Sequence, residues 1–124
     1  MATKTFVADK DGATIDASTA TIPSDRHFRN AWKLSGSVMA EDMTAAKVIF
    51  KDKIREVRKP LLEAQDVAYM KALEADDSSA QTTAKNAKTA LRNAPATSAI
   101  TNADTIAKLK AAWDASTLGT SPYS

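Results

Sequence analysis

The sequence predicts a mainly α fold, in which short N-terminal β-hairpins precede a long helix and two shorter helices packed as a helical hairpin or bundle. Alanine, the strongest helix former, occurs 25 times in 124 residues and mostly after Ala40. Apolar residues recur every three or four positions from Met43 onward, which is the helical period. We therefore divide the chain into an extended arm with hairpins (residues 1–40), a helical domain (residues 41–116) and a polar tail (residues 117–124).

Two hairpins are predicted in the first forty residues. Thr5–Val7 and Thr14–Ile15 are short β-prone stretches that flank an Asp-Gly pair, a frequent hairpin connection. Ala31–Leu34 and Ser37–Met39 flank a Ser-Gly pair in the same way and carry more apolar side chains. Between the hairpins, the Thr/Ser/Ala-rich segment Ser18–Pro23 has little to bury and is expected to be an extended linker.

One long helix is predicted from Asp42, a suitable N-cap, to Ala75. Its buried stripe consists of apolar or small residues at gaps of three and four: Met43, Ala46, Phe50, Ile54, Val57, Leu61, Ala64 and Ala68. Pro60 either ends this helix or kinks it, because an interior proline costs about 3 kcal/mol. The stripe keeps its phase across the proline, which favours one kinked, continuous helix. A second ridge is expected to widen the buried face: Leu62, Tyr69, Met70 and Leu73.

Two shorter helices are predicted in the remainder of the chain. Ser78 or Ser79 would cap a helix that runs from Ala80 to Asn93 and ends before an Ala-Pro pair. Thr101 or Asn102 would cap a final helix at about Ala103–Trp113, and Leu118–Ser124 is expected to be a polar tail.

Composition excludes several classes of protein. The chain is 44% hydrophobic and 26% charged with a formal net charge of +2, which is ordinary for a globular domain and too small to indicate a polyanionic partner. It contains no cysteine, and therefore no disulfide, thiolate nucleophile or cysteine-based zinc site. No run approaches the roughly 20 apolar residues of a membrane-spanning helix, and the polar start is unlike a secretory leader. We expect a solvated intracellular or virion protein that does not enter a membrane.

No pattern of residues predicts catalysis, metal binding or a cofactor. His27, the single histidine, has Asp25 two positions away but no nucleophile in a recognisable pattern, and it is expected to be a turn residue. The adjacent carboxylates at positions 41–42 and 76–77 are expected to cap helices or solvate turns. Asp9–Gly12 starts like a calcium loop, but no glutamate stands at the twelfth position of such a loop. We therefore expect a non-enzymatic protein.

The basic residues of the long helix are expected to form ion pairs within the helix rather than to bind nucleic acid. Residues 41–75 carry seven basic and seven acidic side chains, whereas a nucleic-acid-binding face is normally of one sign. The predicted pairs are Asp52–Arg55 and Glu56–Lys59.

The length of the predicted helix indicates a partner protein. A helix from Asp42 to Ala75 is about 50 Å long, which exceeds the diameter of a compact globule of this chain length. The remaining helices are alanine-rich and are expected to leave part of the stripe uncovered, as an association surface for a homo- or hetero-oligomer. The predicted interface residues are Trp32, Met43, Phe50, Ile54, Val57 and Leu61. Substituting Ile54 or Val57 with aspartate is then expected to abolish assembly.

Three segments resemble small proteins encoded near the tail and tail-fibre genes of tailed bacteriophages. They are IPSDRHFRNAWKLSGSVM (22–39), DMTAAKVIFKDKIREVRKPLLEAQDVAYMKALE (42–74) and KTALRNAP (88–95). The shared layout is a β-rich start with an Arg-x-x-Trp segment, a long helix of mixed charge, and a Leu-Arg-x-x-Pro segment like that of tail-fibre assembly proteins.

This resemblance implies a virion structural protein, an adaptor or accessory subunit of the tail or tail fibre that is assembled in the host cytoplasm. Its partners would be other phage tail or fibre proteins. The alternative is an assembly chaperone of the tail or fibre that is not retained in the virion. A third class, a small host-takeover or nucleic-acid-binding protein, would show salt-dependent retention on DNA.

Overall fold

The computed structural model describes residues 6–23 and 25–123, and it has the predicted order of strands followed by helices. The strands are β1 (Phe6–Ala8), β2 (Thr14–Asp16), β3 (Trp32–Ser35) and β4 (Val38–Glu41). The helices are α1 (Met43–Glu74), α2 (Ser78–Asn93), α3 (Ser98–Thr101), α4 (Ile106–Ala111) and α5 (Ala115–Leu118). The predicted mainly α fold with two N-terminal hairpins is confirmed; Thr5, assigned above to the first hairpin, lies outside the described residues.

The first hairpin is held by the carboxylate of Asp9. One carboxylate oxygen accepts hydrogen bonds from the backbone N–H groups of Asp11 and Ala13, both at 2.9 Å, which closes the turn. The other oxygen accepts the Leu34 N–H of β3 at 2.9 Å and so joins the two hairpins. This bond from Leu34 is the main reason why the pKa of Asp9 lies below its ordinary value. Asp9 therefore closes its own turn and also positions one hairpin on the other.

The segment between the hairpins begins with a turn, in which the Thr19 N–H donates to the Asp16 carbonyl at 3.1 Å, so the prediction of an extended linker is wrong for its first residues. The residue Thr21 that follows pairs with β4. The Thr21 N–H donates to the Ser37 carbonyl at 2.9 Å, and the Met39 N–H donates to the Thr21 carbonyl at 2.7 Å. Thr21 therefore lies in a parallel bridge beside Val38 at the edge of the second hairpin. Sequence patterns did not indicate this pairing, because one bridge residue has no periodicity.

Helix α1 is continuous through Pro60, so the prediction of one continuous helix is confirmed and the alternative in which Pro60 ends the helix is wrong. Asp42 caps it, with one carboxylate oxygen accepting the Thr44 N–H at 3.0 Å. Its 32 residues give a length of about 48 Å at 1.5 Å per residue.

The turn after α1 uses Asp76 in a left-handed conformation, with φ of 54°. The Asp77 N–H donates to the Ala72 carbonyl at 2.9 Å and the Asp76 N–H to the Leu73 carbonyl at 3.2 Å, which is the Schellman arrangement of helix C-termini. Asp77 then caps α2 by accepting the Ala80 N–H at 3.0 Å. The predicted caps Ser78 and Ser79 are wrong, because the aspartate before them performs that function and α2 begins at Ser78.

The predicted final helix from Ala103 to Trp113 is wrong in its extent. Only α4 lies within that range, since α3 ends at Thr101. The predicted caps Thr101 and Asn102 are wrong, because Thr105 caps α4 by accepting the Lys108 N–H at 3.2 Å. Thr105 is extended (φ −136°, ψ 159°), because its hydroxyl offers the backbone an alternative to a continuous helix. The C-terminal segment, predicted above to be a polar tail, contributes Leu118 and Tyr123 to the core.

The core lies where the first half of α1 meets the segment before β3 and the C-terminal helices. Its buried residues come from all three regions: Phe28, Ala31, Ala46, Phe50, Ile54, Leu91, Ala94, Ile100, Ala103, Leu109, Trp113 and Leu118. Residues on both sides of the proposed boundaries at 40/41 and 116/117 thus share one core.

Candidate interaction surface

The predicted interface residues lie in or beside the core of a single chain. Trp32, Phe50 and Ile54 are at most 1% exposed. The other three are half-buried and pack against the core: Met43, Val57 and Leu61. The expectation that this stripe remains uncovered is therefore wrong for its central residues. That expectation was based on the small side chains of the alanine-rich helices. It did not take into account the aromatic side chains that lie outside those helices.

An aromatic cluster covers the centre of the stripe. The Phe50 ring stacks on Tyr123, with centroids 5.5 Å apart, and meets Trp113 edge-on at 5.8 Å. Tyr123 also stacks on Phe28 with centroids 4.9 Å apart. Offset and edge-to-face pairs of this kind contribute about 0.5–1.5 kcal/mol each beyond their buried area. Three separate segments of the chain thus converge on one ring of α1.

Two further interactions hold the C-terminal segment on this cluster. The indole N–H of Trp113 donates to the Gly119 carbonyl at 2.9 Å, which fixes the chain as it leaves α5. Burial, followed by the nearby negative charge of Glu56, raises the pKa of Tyr123 above its ordinary value. The phenol is therefore neutral at physiological pH.

Asp25 connects the segment that precedes β3 to α4. It forms an ion pair with Lys110, and its carboxylate also accepts the His27 N–H at 3.0 Å. These two interactions, the one with Lys110 first, lower the pKa of Asp25. His27 is 43% exposed on its side chain and lies edge-on to Tyr123 at 5.6 Å. The histidine therefore has structural contacts on both sides.

Trp32 is a core residue of the second hairpin and has no free surface for a partner. Arg29 lies over its ring, with the guanidinium carbon 6.0 Å from the centroid. Its indole N–H has no hydrogen-bond partner among the residues that the structure describes. The predicted role of Trp32 as an interface anchor therefore has no support from its position.

An exposed apolar ridge lies on the other side of α1, in the half that follows Pro60. It consists of Val67, Met70 and Leu73, which are 54%, 55% and 47% exposed. The expectation that Met70 and Leu73 widen the buried face is wrong. At 100° per residue Met70 points about 160° away from Phe50, so one stripe cannot include both.

The second half of α1 is held mainly by α2. Asp66 pairs with Lys88 at 2.5 Å, and the ammonium of Lys85 lies 5.6 Å from the centre of the Tyr69 ring. After Pro60, only Ala72 of α1 is buried. This half therefore offers an outward face that its own fold covers little.

Charged side chains border the ridge without ion pairs of their own. Lys59, Glu63 and Glu74 are exposed, and none has an oppositely charged partner within 4.0 Å among the described residues. The predicted pair of Asp52 with Arg55 is confirmed at 2.9 Å. The predicted pair of Glu56 with Lys59 is wrong, because Glu56 pairs with Lys53 at 3.4 Å and leaves Lys59 available.

Small clefts flank the same helical hairpin. One cleft, of about 390 Å³, lies between α1 and α2 beside Ala68, Ala80 and Ala84. Asp77, the one ionisable group among its lining residues, is already engaged in capping α2. The cleft reflects the small side chains of α2, and its polar lining residues are Gln65, Asp77, Ser79 and Thr83.

Searches for metal ligands and membrane spans concern the same described residues. Within residues 6–23 and 25–123, no three histidine, cysteine, aspartate or glutamate side chains come together as a metal site would require. In that part of the chain no helix combines the length and the hydropathy of a bilayer span.

Comparison with protein-family models, with curated proteins and with solved structures gives no match for this chain. The resemblance to phage tail proteins noted above stays a prediction.

Proposed function

We propose that this chain is a non-enzymatic structural subunit of a bacteriophage tail or tail fibre, an adaptor or accessory protein that acts through helix-mediated assembly. The observation that carries the assembly function is the exposed ridge of Val67, Met70 and Leu73 on the hairpin of α1 and α2. The phage context comes from the sequence resemblance alone.

The ridge supports an assembly function because contiguous exposed apolar residues are characteristic of association surfaces. Its three members are spaced by three residues, so they are neighbours on the helix surface rather than scattered side chains. The hairpin that carries them has little packing on its outward side, so a partner can reach it without any rearrangement of the core.

The position of the ridge changes which substitutions test this proposal. Aspartate at Ile54 would place a charge in a site that is 1% exposed, so loss of assembly would report unfolding rather than a lost contact. Aspartate at Met70 leaves the fold intact, because that side chain is 55% exposed. Asn86→Asp, at an exposed position of α2, adds the same negative charge away from the ridge and is the matched control.

The test is quantitative mass spectrometry of purified particles of the phage that encodes the chain, with the wild-type gene and each variant. We expect the wild type and Asn86→Asp at a fixed copy number per particle, and Met70→Asp reduced at least about tenfold although circular dichroism shows it folded. A protein that is needed for particle formation yet absent from particles would instead be the assembly chaperone. A protein that is neither present nor needed would refute both functions.

A further inference from the structure

We propose that two copies of this chain exchange the segment that follows α5, so that Tyr123 of each copy packs in an aromatic socket of the other. This segment, residues 119–123, is called the strap below. The socket is formed by the rings of Phe28, Phe50 and Trp113, which contact Tyr123 within the single chain. The inference goes beyond the exposed ridge and does not depend on the phage context.

The socket is built without the strap. The rings of Phe28 and Phe50 lie 6.4 Å apart between centroids, and Phe50 meets Trp113 at 5.8 Å, so the three rings also contact one another. They come from the segment before β3, from α1 and from the connection between α4 and α5. None of these elements belongs to the strap, so we expect the socket to keep its shape when Tyr123 leaves it.

The strap begins at a hinge. Gly119 has a φ of 85°, and no heavy atom of the described residues, its two chain neighbours aside, lies within 4 Å of where a Cβ would stand. The backbone can change direction there at little cost, because glycine adopts both signs of φ and nothing packs against it. Thr120 and Pro122 are exposed, and the ring of Tyr123 holds the far end of the strap on the body.

A second copy is the partner that this geometry favours. It carries the same ring at the same distance from the same hinge, so exchange restores the contacts of Tyr123 and changes mainly the backbone direction at Gly119. From Gly119 to Tyr123 the strap spans at most about 14 Å, so the sockets of the two copies have to face each other.

Protein concentration decides between the closed and the exchanged strap. A short flexible connection gives an effective concentration on the order of millimolar, so the free chain should remain closed and monomeric at micromolar concentrations. Exchange competes once copies are held together at a comparable local concentration, as they are within an assembly. The strap thus fills the socket of the free chain and links copies that have already been brought together.

Self-association of full-length variants tests the exchange. Sedimentation of the wild type from about 50 µM to about 2 mM should show monomer at the lower end and a growing dimer fraction at the upper end. Tyr123→Ala should weaken the dimer at least about tenfold, because it removes the exchanged ring. Tyr123→Phe, the matched control, keeps the ring and should stay within about threefold of the wild type.

A second variant separates this dimer from association through the ridge. Met70→Asp alters the ridge and should leave the exchanged dimer unchanged. A dimer that is lost in Met70→Asp but kept in Tyr123→Ala would belong to the ridge and would overturn the exchange. A wild type that stays monomeric throughout would also overturn it. Neither result concerns incorporation into particles, so the proposed function fails or stands separately.

Binding in trans tests the socket directly. A synthetic peptide of residues 119–124 is titrated into the full-length Tyr123→Ala variant, first shown by circular dichroism to be folded, and the indole N–H of Trp113 is followed by NMR. We expect binding with a Kd on the order of millimolar, and at least about tenfold weaker binding to the wild type, whose own strap fills the socket. The same peptide with Tyr123→Ala should not bind. An unchanged Trp113 signal up to about 10 mM peptide would show that the socket accepts no strap from another chain.

Discussion

Truncating Phe50 to alanine would remove the ring on which the three covering segments converge. Phe50 is fully buried and contacts the rings of Tyr123, Trp113 and Phe28. Truncating a buried phenylalanine costs about 3–5 kcal/mol, out of about 5–15 kcal/mol for a whole domain. We expect Phe50→Ala to lower the free energy of unfolding by about 4 kcal/mol.

Urea denaturation, followed by circular dichroism, measures this effect. With a slope of about 1–2 kcal/mol per molar urea for a small protein, the midpoint should fall by about 2–4 M. Val48→Ala is the control within the same helix, because Val48 is 54% exposed and its truncation should change stability by less than about 0.5 kcal/mol. A double-mutant cycle with Tyr123→Ala should give a coupling of about 0.5–1.5 kcal/mol.

A loss below about 1 kcal/mol for Phe50→Ala at an unchanged slope would mean that this part of α1 is not core. The original prediction of an open interface at Phe50 would then regain its basis.

Two other predictions concern a turn and an ion pair. Asp76→Gly should stabilise the protein by about 0.5–1 kcal/mol in the same urea assay, because Asp76 has a left-handed backbone that favours glycine; Asp76→Ala should give no gain. Asp25→Asn should cost about 1 kcal/mol at pH 7, because it removes the charge that pairs with Lys110. The pKa of Asp25 is lowered from 3.8 in the folded protein, so this contribution is complete above that value and is lost as pH falls through the lower folded pKa. The difference in unfolding free energy between wild type and Asp25→Asn should therefore shrink below about pH 4, and a difference independent of pH would contradict the assignment.

The sequence was sufficient to predict the features that local patterns determine. The period of apolar residues and the aspartate before it predicted α1, and two Gly-containing pairs predicted the turns of the hairpins. Pro60 was correctly placed inside a continuous helix because the stripe kept its phase on both sides of it.

The features that depend on distant contacts could not be predicted in this way. Tyr123 lies in a segment with no periodicity, and nothing local indicates that it stacks on Phe28 and Phe50. The predicted interface was misplaced for this reason. The prediction compared the length of α1 with the cover that the other helices could provide, and it did not include side chains from segments without periodicity. The exposed ridge, in contrast, was accessible from the sequence, because the angle between Met70 and Phe50 follows from their separation alone.

The two halves of α1 differ in what covers their apolar side chains. Before Pro60, the helix buries Phe50 and Ile54 under side chains of its own chain, so a partner there would have to displace the core. After Pro60, α2 faces the helix largely with small side chains such as Ala84 and Ala87, and the opposite side has little cover from the part of the chain that the structure describes. A partner on that side would bury Val67 and Met70 without breaking any existing contact, so the full apolar gain would favour association. This asymmetry is why we place assembly on the outward face of the second half, at some distance from the core residues that the helical stripe first indicated.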